Sequence, residues 1–262
     1  MEENVCPLCG GAGWILEESE ERSLAKRCKC YSARKAQLLL DQANIPRRYK
    51  ECTFKNFETH NDSHRDALKI SKKFINDYPI LNCGLLFLGP CGVGKTHLAV
   101  AIIHELIEKK SVPCYFCDFR ELIRNIQSSY TPDSSLTESE LLEPVFEREV
   151  LVLDELGAKR TTAWVEETVF YIINNRYNNK KLTIFTSNYL DIEEENGEKD
   201  TRLDYYKKGG KKYVGIYGEK EEDSLVKRIG VRLRSRIYEM CMIVNIMADD
   251  YRKKIKQAGY RF

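Results

Sequence analysis

The chain has 262 residues, a formal net charge of +2 and 42% hydrophobic residues. It is long enough to bury a large core in one or two domains, and too nearly neutral for a global basic field, so any nucleic-acid contact must come from a local surface. No apolar run approaches bilayer-spanning length and the N-terminus is acidic and cysteine-bearing, unlike a signal peptide; we expect a cytoplasmic protein with no membrane partner, its ten cysteines being thiols or metal ligands.

The first element is a cysteine cluster. Cys6-Pro7-Leu8-Cys9 and Cys28-Lys29-Cys30 give C-x-x-C followed by C-x-C. A C-x-x-C sets two thiolates on one tight turn, a common half of a tetrahedral zinc site. Gly10, Gly11 and Gly13 permit the turn, and Trp14–Leu16 with Ser23–Ala25 read as a small hairpin carrying the two halves. No histidine lies here, so Cys6, Cys9, Cys28 and Cys30 are the expected ligands of a closed, structural Zn²⁺ site. So small a module has little core and folds largely on metal-binding energy. Free cysteines or a redox pair are the alternatives. Residues 33–45 read as a short helix stopped by Pro46, and we take 1–45 as the module with its linker helix.

A lead-in with Tyr49, Phe54 and Phe57 follows, then a helix capped by Asp62 or Ser63 and ending before Pro79. Strands are expected at 85–88, 113–117, 150–153, 182–186 and 241–246, alternating with helices. That alternation predicts an α/β doubly wound, mostly parallel sheet over 46–262. Ligands of such sheets bind at the carboxyl ends of the strands.

At one such end stands Gly89-Pro90-Cys91-Gly92-Val93-Gly94-Lys95-Thr96, which fits G-x-x-x-x-G-K-[ST] between an apolar strand and a helical repeat. Glycines let backbone N–H groups face phosphate oxygens at a helix N-terminus. Lys95 is expected to reach the β- and γ-phosphates and Thr96 to ligate Mg²⁺. Cys114 and Cys117 also have redox spacing, but strand alternation places them on opposite faces as buried hydrophobes. Gln127–Ser139 reads as a polar loop between helices.

Val150–Leu153 leads into Asp154-Glu155. Asp154 is expected to hold Mg²⁺ at the tip of a strand beside the P-loop strand, and Glu155 to polarise the attacking water. Thr183–Asn188 is a β-rich run whose Asn188, if its strand neighbours that of Asp154, orients water near the γ-phosphate; an ordinary turn is the alternative. Leu190–Asp223 is a long insertion with Lys and Tyr interleaved over 205–213, readable as a nucleic-acid contact or as a solvated segment. Ser224–Ile237 then reads as one arginine-crowded helix, with Arg228, Arg232 and Arg236 on a shared face. Such a face is either solvated or an arginine finger supplied in trans.

Taken together, GPCGVGKTHLAVAI, VLVLDELG, TIFTSN and RIGVRLRSRIY resemble the DnaC/DnaI/IstB branch of AAA+ ATPases over about Pro46 to Arg252. With the cysteine module, the chain looks most like a helicase loader of the DnaC/DnaI type. The resemblance implies an ATP-binding AAA+ core (Walker A, Walker B) without a full helical lid, an N-terminal domain that holds the replicative DNA helicase, self-association, and single-stranded DNA binding in replication. It maps Lys95 and Thr96 onto Walker A, Asp154 and Glu155 onto Walker B, and Asn188 onto sensor I. Arg236, with Arg232 beside it, matches the arginine finger, and Arg252 a sensor II-like position. Tyr130, Thr162 and Trp164 fall where the family contacts single-stranded DNA; Trp164 is otherwise a helix-start residue packed on the core. An IstB-like helper of a transposase, a P-loop small-molecule kinase and a non-hydrolysing zinc-dependent adaptor are the competing readings.

Overall fold

The computed structural model describes residues 6–19, 22–132, 134, 136–158, 162–191 and 224–253. The Tyr205–Tyr213 run and residues 192–223 of the insertion lie outside them. Trp14–Ser19 (β1) and Arg22–Arg27 (β2) pair antiparallel with Leu16 opposite Ala25. The first helix, Lys29–Gln42 (α1), starts directly after the Cys28 N-cap, earlier than the sequence suggested. Helix α2 (Asp62–Asp77) is capped by Asn61, whose side chain accepts the His64 N–H, and not by Asp62 or Ser63.

Then β3 (Gly84–Leu88), α3 (Lys95–Lys110), β4 (Cys114–Asp118), α4 (Phe119–Ser129), α5 (Glu138–Glu147), β5 (Val150–Asp154), α6 (Ala163–Asn178) and β6 (Leu182–Ser187) alternate. Helices α7 (Leu225–Ile229) and α8 (Val231–Met240) precede β7 (Cys241–Asn245). The five core strands are parallel, in the order β4-β5-β6-β3-β7.

The inner strands β3, β5 and β6 are buried on both faces, as parallel strands are, whereas the edge strands β4 and β7 are partly exposed. Strand alternation divides the core. Leu85, Phe87, Cys114, Phe116, Val150, Val152 and Ile184 pack under α1, α2 and α3. Leu86, Leu88, Cys117, Leu151, Leu153 and Phe185 pack under α4 to α8. Cys114 and Cys117 thus lie on opposite faces, as alternation requires. The fully buried Arg176 of α6 donates to the carbonyls of Val145, Arg148, Glu149 and Leu182 and to Thr183 Oγ1, which locks the starts of β5 and β6 together. Burial pushes its pKa down to about 9. At the sheet edge, Phe116 N donates to Ala43 O at 2.8 Å and Asn44 Nδ2 to Phe116 O at 3.1 Å, so the chain after α1 covers β4.

Two expectations change. Helix α4 runs to Ser129, and a capping box of Thr137 with Glu140 starts α5, which shortens the polar loop between them. Ser224–Ile237 is not one helix: Gly230, at φ 83°, separates α7 from α8. That φ is one that residues with a Cβ rarely adopt, and a Cβ at Gly230 would also lie 2.4 Å from the Glu166 carboxylate. Arg228 therefore leaves the face of Arg232 and Arg236 and stacks on Tyr189, 4.3 Å from its ring centre.

Candidate functional site

The turn from β3 into α3 carries Gly89–Thr96. Gly94 is the N-cap of α3 with φ 94°, and no side chain caps the helix. A Cβ there would stand 2.6 Å from the Phe57 ring. The helix start thus keeps its N–H groups free of any side-chain cap, which is the local chemistry of an anion seat. Lys95 is buried and donates to Gly89 O at 2.8 Å and Pro90 O at 2.6 Å. Desolvation lowers its pKa to about 8, opposed by the charges of Asp154 and Glu155. Cys91, in the same turn, is exposed.

The acidic tip lies across from this turn. Asp154 is buried at the end of β5 and accepts from Thr96 Oγ1 at 2.9 Å and from Thr186 Oγ1 at 2.6 Å. Burial pushes its pKa up to about 6, against the lowering effect of the two hydroxyls. Glu155 sits in the left-handed region at φ 58°, donates its N–H to Thr186 Oγ1 at 3.0 Å, and pairs with Arg120 at 3.4 Å. A non-glycine residue in that conformation is strained and held by its surroundings.

The strand of Asp154 is not beside the P-loop strand. Strand β6 lies between them, pairing with β5 and with β3. The physical consequence is that the end of β6 touches both: Gly89 N donates to Ser187 O, and Thr186 grips Asp154. Asn188, half-buried, follows directly after the end of that wedged strand.

Among the described residues, Arg232 and Arg236 make no contact with this turn or with Asp154. Arg232 lies 4.5 Å from the Phe170 ring centre and 3.7 Å from Glu167, and Arg236 lies 4.1 Å from the Tyr177 ring centre, all on the outer side of α6. Arg252 does come close. Its segment folds over the turn through Tyr251 N to Gly92 O at 3.2 Å, and its charge disfavours the Lys95 ammonium.

At the N-terminus, Cys6, Cys9, Cys28 and Cys30 converge with all four Sγ atoms within 4.8 Å. Cys6 to Cys28 is 3.7 Å and Cys9 to Cys30 is 3.3 Å. Sulfurs at about 2.3 Å from a tetrahedral zinc stand about 3.8 Å apart, so the cluster fits the ion. The Gly13 N–H, 3.3 Å from Cys9 Sγ, holds that thiol well below its usual range, at about 6.

Comparison with known proteins decides the family. The model of the IstB-like ATP-binding protein family matches residues 12–196. This chain belongs to that family. It is 29% identical to the phage-like element PBSX protein XkdC of Bacillus subtilis, over 97% of this chain and 84% of XkdC. It is 29% identical to the replicative helicase loader DnaC of Buchnera aphidicola subsp. Acyrthosiphon pisum, over 60% of this chain and 63% of that one, so it spans under two thirds of that loader. A solved DnaC helicase loader superimposes with TM-score 0.59 at 32% identity, covering 77% of this chain and 99% of that one. AMPPCP-bound DnaA from Aquifex aeolicus shares the AAA+ fold, with TM-score 0.54 at 18% identity. No helix among the described residues is long and apolar enough to cross a membrane.

In this IstB-like chain the fold also gathers Tyr130, Thr162 and Trp164. The Tyr130 and Trp164 rings meet edge-on at 6.1 Å, with Tyr130 exposed. Thr162 Oγ1 is engaged as the α6 N-cap, accepting from Val165 N. Trp164 packs partly on the core.

Sequence reasoning missed several neighbours. Thr186 lies inside TIFTSN, where the motif points to Asn188 instead. Phe57 read only as an apolar anchor, yet it borders Gly94. With His60, His64, His97 and Tyr251 it lines a cavity of about 60 Å³ beside Gly92–Gly94. His64 Nδ1 accepts the His60 N–H, so its Nε2 carries the proton and donates to Val93 O at 3.1 Å. Arg120 gave no signal in sequence. A larger, open depression of about 460 Å³ runs along α2 among Arg65, Lys69, Lys72 and Lys73 and touches none of these residues.

Proposed function

We propose that this chain is an ATP-switched loader that engages the replicative DNA helicase and single-stranded DNA as replication begins. The observation that carries the switch is the Thr96–Asp154 hydrogen bond of 2.9 Å, which joins the two nucleotide elements across β6. The similarity to DnaC loaders supports the helicase as partner.

In this reading Gly89–Gly94 present backbone N–H groups to the phosphates and Lys95 turns from its loop carbonyls to the β- and γ-oxygens. The aromatic side chains beside Gly92–Gly94 border the nucleoside. Thr96 and Asp154 hold Mg²⁺, which supplies charge neutralisation at the phosphates. Glu155, released from Arg120, takes the proton of the attacking water, and Asn188 orients that water. Arg236 and Arg232, remote from their own turn, act on a neighbouring subunit's nucleotide, so hydrolysis is slow until subunits assemble. Cys6, Cys9, Cys28 and Cys30 hold a structural Zn²⁺ that folds the helicase-binding module of residues 1–45, and 46–262 is the ATPase domain. Tyr130 and Trp164 offer rings to single-stranded bases, with Thr162 fixing the start of their helix.

The test is capture of the purified replicative helicase with and without ATP, comparing wild type with Lys95→Ala. Nucleotide-dependent capture that Lys95→Ala abolishes supports the loader; no capture by wild type overturns it. The IstB-like family match favours a second reading, an ATPase that assists a transposase. ATP-dependent stimulation of strand transfer, without helicase capture, would select it.

A further inference from the structure

Beyond β7 the chain turns back over Gly89–Thr96. Its route is pinned as far as Ala248. Ile246 N donates to Leu88 O at 2.7 Å, Met247 O accepts from Asn61 Nδ2 at 2.8 Å and from Ser63 Oγ at 3.1 Å, and Ala248 is buried. Residues 249–253 then lie on the phosphate turn as a compact unit. Asp250 Oδ1 accepts the Arg252 N–H at 3.0 Å, and Asp250 O accepts the Lys253 N–H at 3.1 Å. A Cβ at Gly92 would stand 1.8 Å from Asp250 Oδ1 and 3.1 Å from its Cα, so this unit rests directly on the turn. Tyr251 N donates to Gly92 O at 3.2 Å, and the Tyr251 ring stacks on His60 with centres 5.6 Å apart.

Tyr251 is thereby one wall of the cavity of about 60 Å³ beside Gly92–Gly94. Pockets that bury small organic ligands occupy about 300–1,000 Å³, so a nucleoside enters here only when a wall moves. The other walls are braced to one another. His64 Nε2 donates to Val93 O at 3.1 Å, His97 Nε2 to Thr53 O at 2.8 Å and Asn56 Nδ2 to Glu51 O at 2.6 Å, which fasten α2, α3 and the lead-in around the turn. Tyr251 has a lighter grip, the 3.2 Å backbone bond and a stack on a ring that is itself exposed.

We propose that residues 249–253 are a strap that shuts the empty nucleotide seat and swings off Gly92, about Ala248, as a nucleotide enters. The inference rests on the reading of Gly89–Thr96 as that seat. Charge does not decide it, because Asp249 and Asp250 are balanced by Arg252 and Lys253. Space does. One hydrogen bond and one ring stack favour the shut form by about tenfold, and a site open about a tenth of the time takes its ligand about tenfold less readily than one always open.

The experiment uses the full chain with magnesium and a fluorescent ATP analogue, and follows the association rate by stopped flow. Tyr251→Ala and His60→Ala each loosen the strap, and a urea midpoint equal to that of wild type reports that each variant is folded. Both should associate about tenfold faster than wild type. The rate isolates entry from any contact that Tyr251 makes with bound nucleotide, since loss of such a contact would speed dissociation. Hydrogen exchange on wild type gives a second reading: the Tyr251 amide, bonded to Gly92 O, should lose protection when a non-hydrolysable ATP analogue is added. Unchanged association rates overturn the strap. So does a gain of protection at Tyr251, which would make the segment a clamp on bound nucleotide. Wild-type chain that binds neither analogue overturns the nucleotide seat itself.

Discussion

Thr186 Oγ1 donates a 2.6 Å hydrogen bond to Asp154 Oδ1 and accepts the Glu155 N–H at 3.0 Å. One hydroxyl on β6 thus fixes both carboxylate residues at the tip of β5. Thr186→Val keeps the shape and removes the hydroxyl, leaving a buried acceptor and a backbone donor without this partner. We expect a loss of about 1–3 kcal/mol in urea-unfolding free energy. Magnesium-nucleotide affinity should fall as well, and Thr186→Ser should restore most of both. Equal stability of the Val variant and wild type would sink the assigned role.

Gly94 tests the phosphate turn. It sits at φ 94° with Phe57 on the side where a Cβ would point. Gly94→Ala should abolish nucleotide binding in calorimetry while the far-ultraviolet spectrum stays native. The strain of a left-handed alanine is about 1–2 kcal/mol, small beside the stability of a domain this size. Shrinking Phe57 to Leu in the same chain should recover part of the binding.

The site should bind its nucleotide best over a limited pH window. Burial raises Asp154 from its ordinary value of 3.8 to about 6. The folded chain therefore holds that proton more tightly than the unfolded one, a contribution to stability that is lost as pH climbs from 3.8 toward 6. A magnesium ligand must shed the proton, so affinity should rise through about pH 6. Burial lowers Lys95 from 10.5 to about 8, so its ammonium, and with it phosphate affinity, should fade above about pH 8. Titration calorimetry in buffers of different ionisation heat should record proton release at the acid limb and uptake at the alkaline one. Asp154→Asn should erase the acid limb alone.

Metal removal separates the two ends of the chain. Purified protein should carry one zinc per molecule, and Cys9→Ser none. The chain has two tryptophans, Trp14 and Trp164. Chelation should change emission through Trp14, which stands beside the cluster, and should leave ATP affinity intact. Metal-free protein with unchanged emission would contradict the zinc assignment.

Arg236 rests on Tyr177, away from its own phosphate turn. Arg236→Ala should therefore leave ATP affinity as it is and cut turnover of the assembled protein, on the order of a thousandfold if it acts as a finger. Mixing it with Glu155→Gln subunits should rescue turnover only when the surviving arginine can face the surviving base. A variant whose ATP affinity drops in the isolated subunit would show that Arg236 serves its own site.

The sequence determined the local chemistry. Strand-sized apolar runs, the glycine turn, the acidic pair and the cysteine spacing are all set by neighbours a few residues apart, where backbone periodicity and turn geometry act directly. What only the tertiary structure decided are relations across the sheet. Strand order placed β6 between the P-loop and Asp154, which no single strand can announce, and so gave Thr186 a role its residue type does not advertise. Gly230 broke an arginine helix because its left-handed backbone suits the close approach of Glu166, a residue far away in sequence. Phe57, His64 and Tyr251 met beside Gly92–Gly94 because folding packs the lead-in and the segment after β7 against the same turn. Contacts between distant segments depend on which faces the whole core buries, and that balance is written in the fold rather than in any local run of residues.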